Sequence, residues 1–144
     1  MDGIFDDEKD ITGYIITSFP CDEKYQYGWF GAIGDCMDSP KSPMRIKDGD
    51  KLLIHKIPIT QIEIMRNVGK VISFVIGGQG YHKHLCFADL ISNILHVTMY
   101  NPYQKFYIPI AKIDELFVVD DVKSPEEFSK LRRVASNSYK QIST

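Results

Sequence analysis

Cys36 lies in the run Gly34-Asp35-Cys36-Met37, where a glycine and an aspartate mark a bend, and a polar loop punctuated by Pro40 and Pro43 follows. A thiol on such an elbow is a candidate nucleophile when a base is near. The bend exposes the sulfur and leaves neighbouring N–H groups free to stabilise an oxyanion. Basic side chains are concentrated in a second stretch, Tyr81-His82-Lys83-His84-Leu85-Cys86. Alternation along a strand sends Lys83 to one side and His82, His84 and Cys86 to the other. His-x-His-x-Cys on one face is a plausible start to a zinc site. A fourth ligand has no evident partner in the sequence, so these three read as ordinary sheet-surface residues, and no metal or cofactor is expected. The bland reading of the first stretch is a buried Cys36 acting as a small hydrophobe, with Lys83 as a surface cation.

The elements that must position these groups are short and mostly extended. Tyr27 to Ile33 reads as an aromatic-rich strand feeding the elbow, and Lys51 to Ile57 as a buried strand after the tight turn Asp48-Gly49-Asp50. Asp35, Asp48 and Asp50 are expected to be turn residues that hydrogen-bond the backbone. Pro58 to Asn67 is ambiguous between a strand and a short helical turn and reads as irregular or extended. Val71 to Ile76 is a clear strand, and Gly77-Gly78-Gln79-Gly80 turns it back into Tyr81 to Phe87 as a hairpin. No Lys-Ser/Thr pair follows those glycines, so a phosphate-cradling loop is the weaker reading. A second hairpin pairs Tyr81 to Phe87 with Ile94 to Tyr100, Asn101-Pro102 breaks the strand, and Lys105 to Ile110 and Glu115 to Val119 supply two more. Ile11 to Phe19 can form a first strand. Many short strands between Gly, Pro and Asn turns predict a mainly β fold, a small curled sheet barrel.

Ser124-Pro125-Glu126-Glu127 is a helix start, with a hydroxyl cap, proline in the first turn and a glutamate reaching back. Phe128, Leu131, Ala135 and Tyr139 then fall on one face of an amphipathic C-terminal helix. The expected organisation is an acidic arm over residues 1–10, a β domain over 11–122, and the helix and tail over 123–144.

The chain has 144 residues, 25% of them charged and 44% hydrophobic, with a formal net charge of −2. Those values fit one domain able to bury a core, and nothing global calls for direct nucleic-acid binding. Asp2, Asp6, Asp7, Glu8 and Asp10 against Lys9 make the N-terminal arm acidic. Cys21, Cys36 and Cys86 are an odd set without framework spacing, which points to a reducing, cytoplasmic setting. No signal-peptide core and no long apolar run is present, so no membrane partner is expected.

Gly-Asp-Cys-Met at 34–37, then Asp-Gly-Asp-Lys-Leu-Leu-Ile-His-Lys at 48–56, resembles the Gly-Asp-Ser-Met…Asp-Gly-Asp signature of the LexA and phage-repressor C-terminal peptidase-like domains. That family shares its fold with the type I signal peptidases. Tyr81-His82-Lys83-His84-Leu85 resembles the strand that carries the family's catalytic lysine. Asn101-Pro102, Phe106 to Pro109 and Glu115 to Val119 resemble its closing strands in order, so the likeness covers roughly residues 28 to 120. The missing membrane anchor tips it toward the repressor branch. The resemblance implies a barrel of LexA or signal-peptidase type and peptide-bond hydrolysis or self-processing by acyl transfer. Cys36 would be the nucleophile and Lys83 the general base or ion-pair partner. Met37 would lend its amide to the oxyanion region, or serve as an apolar anchor, and Asp35 would fix the elbow. Partners would be a peptide segment or the chain itself, in a homodimer. The alternative is a catalytically degenerate regulatory or dimerisation module of a phage- or mobile-element-related transcriptional regulator.

The chain departs from that pattern in two places. Cys36 stands where the family has serine, and a thiol, with a reference pKa of about 8.5, releases its proton far more readily than a hydroxyl. The Ala-Gly or Cys-Gly bond of self-cleaving members does not occur in residues 1 to 35.

Overall fold

Among the described residues, apolar alternation organises seven strands into one antiparallel sheet. The computed structural model of the chain describes residue 22 and residues 24–133. The acidic arm, the expected strand over 11–19, Cys21, and Ala135 and Tyr139 of the C-terminal helix lie outside the described residues. The strands are β1 (Tyr27–Gly31), β2 (Lys51–Ile57), β3 (Val71–Ile76), β4 (Gln79–Asp89), β5 (Ile94–Tyr100), β6 (Tyr103–Pro109) and β7 (Glu115–Lys123), in the order β1-β2-β7-β3-β4-β5-β6. The fold is therefore mainly β, as the sequence predicts. Among the described residues β1 and β6 remain edges, so these strands make an open sheet and not a closed barrel.

Two-residue periodicity loads both faces of the sheet. Ile57, Ile72, Phe74, Leu85, Leu116 and Val118 pack on one face. Phe30, Leu52, Ile54, Val71, Phe117 and Val119 pack on the other. Each face needs a lid. On the first it includes Ile64 from a short helix, α1 (Gln61–Arg66), and on the second Ala32, Met37 and Ile46 from the loop that carries the elbow.

Helix α1 corrects the extended reading of Pro58 to Asn67. Thr60 caps it, its side chain accepting from the Glu63 amide at 3.3 Å. The Thr60-x-x-Glu63 spacing is a helix-start signal. With only Ile64 of the helix buried, the segment is too short for its apolar period to stand out.

The turns follow the local chemistry. Gly77 and Gly78, with φ of 58° and 80°, form a two-residue link between the paired Ile76 and Gln79, a conformation that suits the twist of a hairpin. At the C-terminal end a second helix, α2, starts at residue 125. Ser124 Oγ accepts from the Glu127 amide at 3.1 Å, and Glu127 Oε1 accepts from the Ser124 amide at 2.9 Å. Phe128 of α2 is buried and meets the Trp29 ring edge-on at 4.9 Å. No helix among the described residues is long and apolar enough to cross a membrane.

Candidate functional site

The elbow is built by three backbone-seeking contacts. The Asp38 amide donates to the Asp35 carbonyl at 2.9 Å, which closes a turn with Cys36 and Met37 at its centre. Asp48 Oδ1 accepts from the Gly34 amide at 2.7 Å and ties the entry of that turn to the Asp48-Gly49 turn. Asp50 Oδ2 accepts from the Lys47 amide at 2.8 Å. Asp48 and Asp50 thus hold backbone as expected. Asp35 departs from that expectation: it acts through its backbone carbonyl, and its side chain is exposed. Met37 is 0% exposed and anchors the elbow in the second core beside Phe30 and Ile46.

Pairing between β4 and β5 explains how the elbow reaches Lys83. Their ladder runs from Asp89↔Ile94 to His84↔Thr98 and ends there. Two further residues would set His82 opposite Tyr100. Cys36 takes that place instead. Its carbonyl accepts from the Tyr100 and Asn101 amides, both at 2.9 Å, and its thiol faces the His82 carbonyl at 3.8 Å. Asn101 Nδ2 adds a bond to the Asp38 carbonyl at 3.3 Å. The elbow is therefore a wedge between two diverging strands, and it satisfies polar groups that the broken ladder would otherwise strand.

Lys83 lies at the same opening. Its Nζ is 3.5 Å from Cys36 Sγ and 3.3 Å from the His82 carbonyl, and the residue is 9% exposed. The rings of Tyr81 and Phe106 stand 5.9 Å from the amine. An amine so enclosed exchanges most of its water for one sulfur, one carbonyl and two aromatic faces. Among the described residues, the amide hydrogens of Cys36 and Met37 have no acceptor. The structure thus brings Cys36, Lys83 and the Met37 backbone together, with Asp35 on the elbow's outer side.

The other face of β4 departs from the sheet-surface reading. His82 is buried, and its Nδ1 has no partner among the described residues. Burial, and then the charge of Lys83, lower its pKa from 6.5 to about 4. A bulge between Leu85 and Phe87 displaces Cys86 from the regular ladder. Among the described residues no three His, Cys, Asp or Glu side chains gather as a metal site.

Two further groupings carry no local sequence signal. His55 Nδ1 lies 2.5 Å from Asp120 Oδ2 across β2 and β7, with the rings of Tyr25 and Tyr27 over the imidazole at 4.8 and 5.2 Å. The role of Tyr100 and Asn101 in gripping Cys36 was equally hidden. Asn101-Pro102 marks a turn in the sequence, but nothing there says what docks on it. No protein-family model, no curated protein and no solved structure matches the chain.

Proposed function

We propose that this domain hydrolyses a peptide bond by acyl transfer through Cys36 and Lys83. This is the reaction of the LexA and phage-repressor peptidase-like domains, with a thiol in place of the family's hydroxyl. The observation that carries the reading is the 3.5 Å separation of Cys36 Sγ and Lys83 Nζ in an enclosed opening between β4 and β5. That separation suits proton transfer in a free enzyme. Cys36 gives its proton to Lys83 and attacks the scissile carbonyl carbon, and the displaced electron pair on oxygen meets the Cys36 and Met37 amides. Lys83 returns the proton to the departing amine as the C–N bond breaks, leaving a thioester. Water attacks the thioester while Lys83 takes its proton. The C–S bond then breaks, the acid leaves, and Lys83 returns the proton to the sulfur, restoring the thiol. A LexA-type fold, a homodimer and a cytoplasmic site belong to the same proposal, with a peptide segment or the chain itself as substrate.

A regulatory or dimerisation module that keeps the fold is the second reading. One observation favours it: Cys36 and Lys83 both bond the His82 carbonyl, so the pair also serves to seal the wedge. A thiol-directed acylating probe at neutral pH separates the two. For the peptidase, Cys36 is acylated far faster in the folded than in the unfolded chain, and Lys83→Ala slows it about a hundredfold. Equal rates in folded and unfolded chain, with Lys83→Ala silent, leave only the module.

A further inference from the structure

We propose that Cys86 is a second reactive thiol, built to form a reversible mixed disulfide with small disulfides that carry carboxylates. The register of β4 on β5 passes from Leu85↔Val97 to Phe87↔His96, which leaves Cys86 as the extra residue of a bulge. Bulges of this kind re-aim a side chain that the ladder would otherwise fix. Cys86 is exposed, with Sγ 3.4 Å from His84 Nδ1 and 3.2 Å from Thr98 Oγ1.

The far side of the imidazole sets its tautomer. His84 Nε2 lies 3.1 Å from the Gly69 carbonyl oxygen, which can only accept, so the ring proton sits on Nε2 and Nδ1 is the basic nitrogen. Nδ1 faces two donors, the Cys86 thiol and the Tyr100 hydroxyl at 2.6 Å. Burial first, and then the charge of Cys86, hold the Tyr100 phenol above its ordinary range, so it remains a donor. Phenol and thiol therefore compete for one lone pair. Tyr100 restrains Cys86, and His84 with Thr98 supports the thiolate when the phenol turns away.

The surroundings define the ligand. A concavity of about 360 Å³ beside Cys86 is walled by Phe87, His96, Tyr103, Lys105 and Tyr107. Aromatic walls with one ammonium group and no carboxylate suit a small organic anion. In the reaction the Cys86 proton passes to His84 Nδ1 and the thiolate attacks one sulfur of the ligand disulfide. The ligand S–S bond breaks as the protein–ligand S–S bond forms, and the departing thiolate takes the proton from His84. The ligand disulfide is the oxidant, and half of it leaves reduced. None of this depends on the role proposed for Cys36.

The test uses the full chain carrying Cys36→Ser, incubated with oxidised glutathione at neutral pH and mapped by peptide mass spectrometry. Cys86 is expected to form the mixed disulfide at least about tenfold faster than in the same chain unfolded in urea. His84→Gln should slow the reaction, and Tyr100→Phe, which keeps the ring, should speed it. Lys105→Glu should slow oxidised glutathione and leave the neutral hydroxyethyl disulfide unaffected. A folded rate equal to the unfolded one, or a rate that Tyr100→Phe leaves unchanged, overturns the activated thiol. An equal effect of Lys105→Glu on both disulfides overturns the assignment of an anionic ligand.

Discussion

His82 shows how one side chain can be fixed by its neighbours on both sides. Its carbonyl takes the Lys83 amine and the Cys36 thiol, while its imidazole is buried with an Nδ1 that has no partner among the described residues. With a pKa lowered from 6.5 to about 4, chiefly by burial, the ring stays neutral in the fold at pH values where the unfolded chain takes up a proton. Above pH 6.5 both states are neutral and the residue has no pH-linked effect. As pH falls from 6.5 toward 4 the unfolded state gains the proton first, so stability declines, by at most about 3 kcal/mol. Urea titrations at pH 7 and pH 4.5 measure this directly. His82→Gln should lose much of the difference, and an acid slope the same as that of the parent would show that other groups cause it.

Local capping and packing contribute unequally to the elements. Helix α2 carries the reciprocal Ser124–Glu127 bonds, and hydrogen bonding from the Ser124 amide, then from its side chain, holds the Glu127 carboxyl below its usual range. Loss of the cap in Ser124→Ala is expected to cost about 1 kcal/mol. Phe128 is 2% exposed against Trp29, and Phe128→Ala is expected to cost about 3–5 kcal/mol, because a cavity is left where the ring was. Chemical denaturation followed by the fluorescence of Trp29, the one tryptophan of the chain, reads both variants. A cap variant costing more than the ring variant would mean that α2 is held by its own start and not by its seat on β1.

For the molecule as a whole, β7 is the strand everything else leans on. It comes last of the described strands yet pairs with both β2 and β3. Leu116 and Val118 serve one core, Phe117 and Val119 the other. Truncation after residue 112 is therefore expected to abolish the cooperative unfolding transition, since it divides the sheet and removes apolar side chains from both faces. Truncation after residue 123 removes α2 and the residues beyond it but keeps all seven described strands, and should leave a cooperative but weaker fold. A sharp transition in the shorter chain would show that the two parts of the sheet stand without the strand between them.

Strand content was legible in the sequence because alternation and turn chemistry act over a few residues. Lys51–Ile57, Val71–Ile76 and Ile94–Tyr100 match their predicted bounds, and Ser124 with Glu127 gave away the start of α2. Cys36 on an elbow was equally readable, from Gly34, Asp35 and the prolines beyond. Helix α1 was missed because one buried isoleucine in so short a segment leaves no period to read. Which strands neighbour one another, and where β4 and β5 part, depends on long-range pairing that no local window contains. The divergence at His82 and Tyr100, filled by the Cys36 wedge, decides that a sulfur and an amine far apart in the chain face each other. The bulge at Cys86 likewise depends on how β4 registers on β5. Residue types fix what chemistry is available, but only the assembled sheet sets the distances and the exclusion of water that let it act.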